Sequence, residues 1–330
     1  MRTLVCDKLG IEVPIVQAPM GGAAGPQLAA AVSNAGGLGM LPLSWHPPEA
    51  VRAAIRQTRA LTSKPFGVNL VLAFPQEERF EVCLQERVPV ISFFWGDPAP
   101  FVTRAHAAGA VVLSTVARAT EAKAAAAAGV DAVVAQGWEA GGHVLGEVAT
   151  LPLTRAVVEA VDPLPVIAAG GISDGRGLAA ALALGAGGAW IGTRFLATPE
   201  AQVHPHYRDR LLAADEASTL HSSLFDIGWP DAPHRVLRNT TTAGWEAAGR
   251  PASGVRPGEG EAVAEGPRGG VLRYASATPG PQMTGDIEAL SMWSGQGVAG
   301  VRAVKPAADV VAEIVDEARR VLRDMARLAD

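Results

Sequence analysis

The stretch Pro165–Asp174, PVIAAGGISD, decides the fold of this chain of 330 residues. It opens with five apolar residues that do not alternate with polar ones, which is typical of a strand buried on both faces of a parallel sheet. Two glycines and Asp174 then provide a turn and a helix start. Ala189–Arg194, AWIGTR, repeats the apolar run that ends in glycine. Together the two stretches predict neighbouring βα units.

Similar units fill the chain up to about residue 200. Their helical segments often end before glycine, as at Leu184-Gly185, because glycine adopts the left-handed conformation of a helix C-cap at low cost. The predicted strands are Ile15–Gln17, Leu38–Leu41, Phe66–Leu72, Val90–Phe94, Val111–Ser114, Ala132–Ala135, Pro165–Ala169 and Ala189–Gly192. The predicted helices are Pro26–Asn34, Pro48–Thr58, Glu77–Glu86, Pro98–Ala108, Thr120–Ala128, Leu153–Val161 and Asp174–Leu184. Eight strands that alternate with helices predict an α/β fold, a closed (β/α)8 TIM barrel rather than an open sheet.

The chain changes character beyond about residue 200. His204–Arg238 reads as short helices and loops. Thr240–Gly270 has little periodicity, which predicts either a mobile insertion or a small lid domain. Ala308–Ala329 has the pattern of a helix with its charges on one face. We therefore expect residues 1–203 and 293–330 to form the barrel and residues 204–292 to form a lid over its mouth.

Composition excludes several classes of protein. Hydrophobic residues make up 48% of the chain, which is too many for a disordered protein, and the net charge of −5 provides no basic field for a nucleic-acid backbone. The two cysteines, Cys6 and Cys83, are too few for a disulfide framework. The longest uncharged apolar stretch, Gly177–Gly192, is shorter than the roughly 20 residues of a membrane span, and the N-terminus lacks the apolar core of a secretory signal. We expect a soluble, cytoplasmic protein that binds neither nucleic acid nor membrane.

Glycines follow the last two predicted strands. Gly170 and Gly171 come after the seventh strand, and Gly192 and Thr193 come after the eighth. Many barrels hold a phosphate group between these two loops, because glycine lets the backbone amides approach the ligand closely. The alternative is a pair of ordinary tight turns. The presence of both halves at the expected strands favours a phosphate site.

A glycine-rich loop with one histidine follows the sixth predicted strand. Its sequence, Gln136–His143, is QGWEAGGH. The glycines Gly141 and Gly142 allow the loop to approach a flat ligand, and His143 can act as a base near neutral pH. The alternative is a loop histidine that bonds only to the backbone. A position at the mouth of the barrel favours the catalytic role.

Two further motifs remain open on the residues alone. Met20, Gly21 and Gly22 follow the first strand and form either a ligand loop or an ordinary turn. Asn69 is a polar residue inside an apolar strand, so that it must find hydrogen-bond partners either in the core or on a ligand.

These motifs together resemble those of the nitronate monooxygenase family, formerly called 2-nitropropane dioxygenases, which overlaps in sequence with the FMN-dependent enoyl-acyl-carrier-protein reductases. The resembling segments are Pro14–Met20, Ala31–Gly39, Pro65–Leu70, Gly137–His143, Pro165–Leu184, Gly192–Thr198 and Trp293–Val298. They cover the predicted barrel and the C-terminal segment. Three features depart from the family pattern: Gly146 follows the histidine by three residues instead of two, Trp190 replaces a smaller or polar residue, and Thr240–Gly270 matches no family motif.

The resemblance implies a barrel that binds FMN. It implies that His143 is the catalytic base and that the segment containing Ser294 closes over the cofactor. The residues implied to contact FMN are Met20, Gly21, Gly22, Asn69, Gln136, Gly141, Gly142, Gly170, Gly171, Gly192, Thr193, Ser294, Gly295 and Gln296.

The reaction implied is the oxidation of alkyl nitronates by O2 to a carbonyl compound and nitrite, with His143 removing the α-proton when the substrate is a neutral nitroalkane. One alternative is a flavin reductase that uses NAD(P)H on an enoyl thioester or a quinone. Another is an FMN-free barrel that isomerises or cleaves a phosphorylated metabolite. We expect no metal site, because His204 and His206 lack a third ligand at a suitable spacing. A homodimer is compatible with the sequence.

Overall fold

The computed structural model describes residues 1–328 and contains the expected (β/α)8 barrel. Its parallel strands are β1 (Ile15–Gln17), β2 (Gly39–Pro42), β3 (Phe66–Val71), β4 (Val90–Phe94), β5 (Val111–Val116), β6 (Ala132–Gln136), β8 (Val166–Ala169) and β9 (Gly188–Ile191). They are hydrogen-bonded in the order β1-β9-β8-β6-β5-β4-β3-β2. The remaining strand of the first half, β7 (Gly142–His143), lies outside the barrel.

Helices connect the strands much as the sequence predicts. They are α1 (Leu4–Leu9), α2 (Pro26–Asn34), α3 (Pro48–Leu61), α4 (Glu77–Gln85), α5 (Ala99–Ala107), α6 (Ala119–Ala127), α7 (Thr150–Val161), α8 (Gly175–Ala183) and the short α9 (Thr193–Leu196). The final helix, α12, spans Ala307–Ala326, and the predicted end at Ala329 lies outside the described residues. No helix within residues 1–328 is both long and apolar enough to cross a membrane.

The seam between β1 and β2 closes the barrel through a single backbone bridge, between Val16 and Leu38. The side chain of Gln17 completes the seam, since its Nε2 donates to the Met40 carbonyl at 3.3 Å and its Oε1 accepts from the Met40 amide at 3.0 Å. Gln17 is fully buried. A buried polar side chain is stable there because both ends of the amide are hydrogen-bonded.

Apolar side chains fill the barrel interior, and Trp190 on β9 is one of them. Helix α1 covers the N-terminal end of the barrel, because its buried residues Val5 and Leu9 belong to the same interior cluster. The C-terminal ends of the strands lie at the opposite end of the barrel, and the loops that carry the predicted site residues follow them there.

The second half of the chain differs from the prediction for His204–Arg238. This segment contains α10 (Pro205–Ala213) and also two strands, β10 (Thr219–Ser222) and β11 (His234–Leu237). They form an antiparallel sheet in the order β10-β11-β7. The prediction of helices and loops alone was wrong, because these strands are four residues long and one of their partners lies far away in the sequence.

Thr240–Gly270, for which the sequence predicts a mobile insertion or a small lid domain, carries regular structure. Helix α11 (Thr240–Ala247) begins at a capping box on Asn239, and strands β12 (Ala262–Gly266), β13 (Gly269–Leu272) and β14 (Thr284–Gly285) form a small antiparallel sheet. Two 3-10 turns, Ile287–Ala289 and Gln296–Gly300, lead back to the barrel.

Candidate active site

The glycine-rich loop after β6 is in direct backbone contact with the C-terminal segment. A Cβ atom built on Gly141 would lie 2.3 Å from the Gly295 amide nitrogen, and one on Gly295 would lie 2.7 Å from the Glu139 carbonyl oxygen. The Gln296 amide donates to the same carbonyl at 2.9 Å. Only glycine permits so close an approach at Gly141 and Gly295, which explains why both predicted segments contain it.

The two halves of the predicted phosphate site lie against this contact. Gly170 and Gly171 both have positive φ, 105° and 71°, which favours glycine. A Cβ on Gly297 would lie 2.8 Å from the Gly171 carbonyl oxygen, and the Thr193 hydroxyl accepts a hydrogen bond from the Gly295 amide at 3.0 Å. The structure therefore brings together the loops after β8 and β9 and the C-terminal segment, which lie far apart in the sequence.

The loop after β1 borders the same region. A Cβ on Gly192 would lie 3.6 Å from the Met20 sulfur, which places this loop beside the loop after β9. The Gly21 carbonyl accepts a hydrogen bond from the Thr278 hydroxyl at 2.5 Å. Thr278 in turn accepts one from the Trp293 indole nitrogen at 3.0 Å. Residue Thr278 thereby joins the predicted lid to the barrel mouth.

Asn69 is buried on β3 and reaches the neighbouring strand β4. Its Nδ2 donates to the Ser92 carbonyl at 3.2 Å and lies 3.3 Å from the Ser92 hydroxyl. Its Oδ1 accepts no hydrogen bond from residues 1–328, so that this oxygen is the part of the side chain left for a ligand. Both alternatives for Asn69, partners in the core and a partner on a ligand, therefore stay open, because only the amide nitrogen is hydrogen-bonded within the core.

The Gln136 side chain shapes the histidine loop. Its Nε2 donates to the His143 carbonyl at 3.0 Å, and its Oε1 accepts from the Leu145 amide at 3.2 Å. These bonds hold the chain on either side of Val144 to the end of β6. A contact between Gln136 and a cofactor stays a prediction, because its amide is already engaged with its own loop.

The His143 side chain lies among aromatic rings. Its ring stacks on Trp229 with 4.0 Å between centroids and lies 5.2 Å from Trp293. Its Nε2 atom is buried and has no hydrogen-bond partner within residues 1–328. Burial, with a smaller contribution from His234, lowers the pKa of His143 to about 3. The imidazole is therefore neutral at pH 7, and its Nε2 atom is left to bond to a ligand.

His234 faces His143 across the paired strands β11 and β7. The two rings lie 5.6 Å apart. His234 Nδ1 lies 2.9 Å from the Ala232 carbonyl, and its Nε2 lies 3.1 Å from the Phe225 amide. A carbonyl only accepts and an amide only donates, so that His234 is the neutral tautomer with a proton on Nδ1. Burial lowers the pKa of His234 to about 4.

Arg235 supports the histidine loop from the lid side, and sequence reasoning missed it. The guanidinium lies 4.1 Å above the Trp138 ring and donates to the Trp138 carbonyl at 2.9 Å and to the Thr219 hydroxyl at 3.3 Å. Burial lowers the pKa of Arg235 to about 10. No carboxylate forms an ion pair with Arg235 within the described residues, so that the bonds to Trp138 and Thr219 satisfy the buried charge. No sequence signal marks Arg235, because its partner lies in a distant loop.

Trp229 lies directly on His143, with 4.0 Å between the ring centroids. Within residues 1–328, no three His, Cys, Asp or Glu side chains lie close enough to hold a metal ion. His206 instead bonds to Glu288 at 2.6 Å.

Comparison with known proteins identifies similar chains. The family model described as nitronate monooxygenase matches residues 2–80 and 73–317. A (3aS,4S,5R,7aS)-5-hydroxy-7a-methyl-1-oxo-octahydro-1H-indene-4-carboxyl-CoA dehydrogenase of Rhodococcus jostii is 42% identical over 250 residues, which cover 76% of this chain and 69% of that protein. A nitronate monooxygenase of Pseudomonas aeruginosa is 36% identical over 359 residues, which cover 94% of this chain and 97% of that protein. The solved structure of FabK from Thermotoga maritima matches with a TM-score of 0.83 and 33% identity, over 99% of both chains.

Proposed function

This chain belongs to the nitronate monooxygenase family, and we propose that it is an FMN-dependent oxidoreductase that oxidises alkyl nitronates with O2 to a carbonyl compound and nitrite. The observation that carries the proposal is the convergence of the loops after β6, β8 and β9 and the C-terminal segment beside an unpartnered, neutral His143. We further propose that residues 204–292 act as the lid of this site.

The residues present fit FMN. Gly142 faces open space, since a Cβ built on it would meet no atom within 4 Å, and a Cβ on Gly171 or Gly192 would make only ordinary contacts, at 3.5 and 3.4 Å. Backbone amides that carry no side chain can approach a phosphate group closely, and the Thr193 hydroxyl follows Gly192 directly. The residues proposed to hold FMN are Met20, Gly21, Gly22, Asn69, Gln136, Gly141, Gly142, Gly170, Gly171, Gly192, Thr193, Ser294, Gly295 and Gln296.

Bound FMN would supply the electron acceptor, and the protein would position the substrate and exclude water. A nitronate has already lost its α-proton, so that His143 has only to hold the anion through a hydrogen bond or a charge. An anion seated against His143 would raise its pKa, because a nearby opposite charge favours the imidazolium. For a neutral nitroalkane, His143 Nε2 would accept the α-proton.

Two measurements test this proposal. The first is an anaerobic absorption spectrum of the purified protein, before and after adding ethylnitronate and, in a separate sample, NADH or NADPH. Flavin bands that are lost with the nitronate but not with the nicotinamides support the proposal. A colourless protein that takes up no added FMN overturns it.

The second measurement compares His143→Gln with the unchanged protein on nitroethane and on preformed ethylnitronate. We expect the variant to lose more kcat/KM on the neutral nitroalkane, because only that substrate needs its α-proton removed. Equal losses on the two substrates would rule out the base role.

The relative from Rhodococcus jostii favours one second candidate, because its name is that of a CoA-thioester dehydrogenase. In this candidate the same site serves an FMN-dependent reaction of NAD(P)H with an enoyl thioester or a quinone. Rapid loss of the flavin bands with NADH or NADPH in the anaerobic experiment would support this candidate over nitronate oxidation.

A further inference from the structure

A row of aromatic rings leads from the protein surface to His143. Trp45, in the loop after β2, lies 6.1 Å from Phe74 and 6.0 Å from Trp229. Phe74 lies 5.3 Å from Trp229, and Trp229 stacks on His143 at 4.0 Å. Trp95 flanks the row, 5.1 Å from Trp229. We call these five residues the aromatic row.

The row differs from an ordinary packed core at its outer end. The Trp45 side chain is 45% exposed, although an indole ring usually loses most of its surface to water on folding. At Trp95 the backbone φ is +63°, a left-handed conformation that bulky residues rarely adopt and that clusters at functional sites. An exposed ring and a strained backbone are both unfavourable for stability alone, so that they point to a binding role.

Unpartnered polar atoms lie along the same rings. The indole nitrogen of Trp293 donates to Thr278, whereas those of Trp95 and Trp229 donate to none of residues 1–328. His143 Nε2 is buried and also lacks a partner there. A buried imidazole nitrogen without a partner indicates a ligand that supplies one.

The arginine–ring contacts found within residues 1–328 involve Phe80, Trp138, Trp245 and Tyr274, none of which belongs to the aromatic row. A ligand lying along the row would meet aromatic rings. Such a surface suits a flat apolar group better than a charged or highly polar one.

We propose that the aromatic row binds the non-reacting part of the substrate, and that this part is a flat, apolar ring system rather than a short alkyl chain. The proposal rests on the proposed function, because it places the reacting carbon beside His143. The ring system would extend outward past Trp229 toward Trp45.

The test compares two preformed nitronates, those of nitroethane and of 2-(nitromethyl)naphthalene. We expect the unchanged protein to have a KM for the naphthyl nitronate that is lower by about tenfold, since stacking on aromatic rings adds to apolar burial. Trp45→Ala should raise the KM for the naphthyl nitronate by about fivefold and leave that for ethylnitronate within about twofold. Trp45→Phe should restore most of the loss, and kcat should not change.

Val255→Ala is the matched control, because Val255 is also an exposed apolar residue, at 74%, and lies outside the row. It should change neither KM. Equal KM values for the two nitronates in the unchanged protein would overturn the proposal, and so would a loss of the same size on both substrates in Trp45→Ala. Phe74→Leu provides a second variant of the row.

A binding measurement separates this proposal from the proposed function. Calorimetric titration with 2-naphthylmethanol, which carries no nitro group, should give binding to the unchanged protein and to Val255→Ala and weaker binding to Trp45→Ala. If no nitronate is oxidised but this pattern is found, the aromatic row stands and the proposed function fails. If nitronates are oxidised and naphthylmethanol does not bind, the row is not a ring-binding wall.

Discussion

Acidification should destabilise this protein through the two histidines at the candidate site. His143 and His234 have folded-state pKa values lowered to about 3 and about 4, both mainly by burial, against an ordinary value of 6.5. In the unfolded chain both side chains bind a proton as the pH falls through 6.5, whereas in the folded protein they remain neutral. The unfolded state thus binds more protons, and stability falls as the pH is lowered below about 6.5.

The size of this effect follows from the two pKa values. One pKa unit corresponds to about 1.4 kcal/mol. Lowering the pH from 6.5 to 5 covers about 1.5 units for each histidine; because the unfolded side chains are already half protonated at pH 6.5, this costs about 1.6 kcal/mol each and about 3 kcal/mol together. Since a typical domain is stable by about 5–15 kcal/mol, a loss of this size is readily measured.

The measurement is the free energy of unfolding from urea denaturation at pH 7.5, 6.5, 5.5 and 5.0, for the unchanged protein and for His143→Phe. Phenylalanine keeps a flat ring beside Trp229 but does not titrate. Carboxylates contribute equally to both proteins, so that the difference between the two curves isolates His143. We expect the variant to lose about 1.6 kcal/mol less between pH 6.5 and pH 5. Two parallel curves would refute the lowered pKa of His143.

Three further predictions concern residues around the site. Gly141→Ala should abolish FMN binding and lower the melting temperature strongly, since its Cβ would collide with the Gly295 backbone. Gly142→Ala should cost only about 1–2 kcal/mol of left-handed strain. Thermal unfolding and FMN titration compare the two variants, and equal losses would contradict the steric argument. Arg235→Met should destabilise the protein by about 2–4 kcal/mol in urea denaturation, because it leaves buried acceptors unpaired, and an unchanged midpoint would show that those bonds contribute nothing. Burial raises the pKa of the Cys83 thiol to about 12, so that iodoacetamide at pH 8 should not modify this thiol in the native protein. Mass spectrometry measures the modification, and rapid alkylation would contradict the burial.

Much of the barrel could be predicted from local patterns. The bounds of β1, β4 and α2 agree with the prediction to the residue, and the other strands shift by only one or two residues at an end. Each barrel strand is a short apolar run and each helix has its own start and stop signals, so that the information lies within a few residues. The strand β7 could not be predicted, because Gly142–His143 is a strand only through its pairing with β11.

Part of the predicted site was visible as local pattern, since glycines at strand ends and a histidine in a glycine-rich loop can be read from the chain, whereas Gln136 and Ser294–Gln296 were predicted only from the family resemblance. Their arrangement was not visible. The contact between Gly141 and Gly295 joins segments that lie far apart in the chain. The bonds from Arg235 to Trp138 depend in the same way on how β11 packs against the loop after β6.

The family, the alternation of strands and helices, and the type of side chain at each strand end can all be read from the amino-acid sequence. The state of those side chains depends on the fold. His143 is neutral, and its Nε2 has no partner within residues 1–328, because Trp229, which is distant in sequence, covers its ring and removes it from water. Desolvation depends on all the atoms that surround a group, and most of those atoms belong to residues that are remote in the chain.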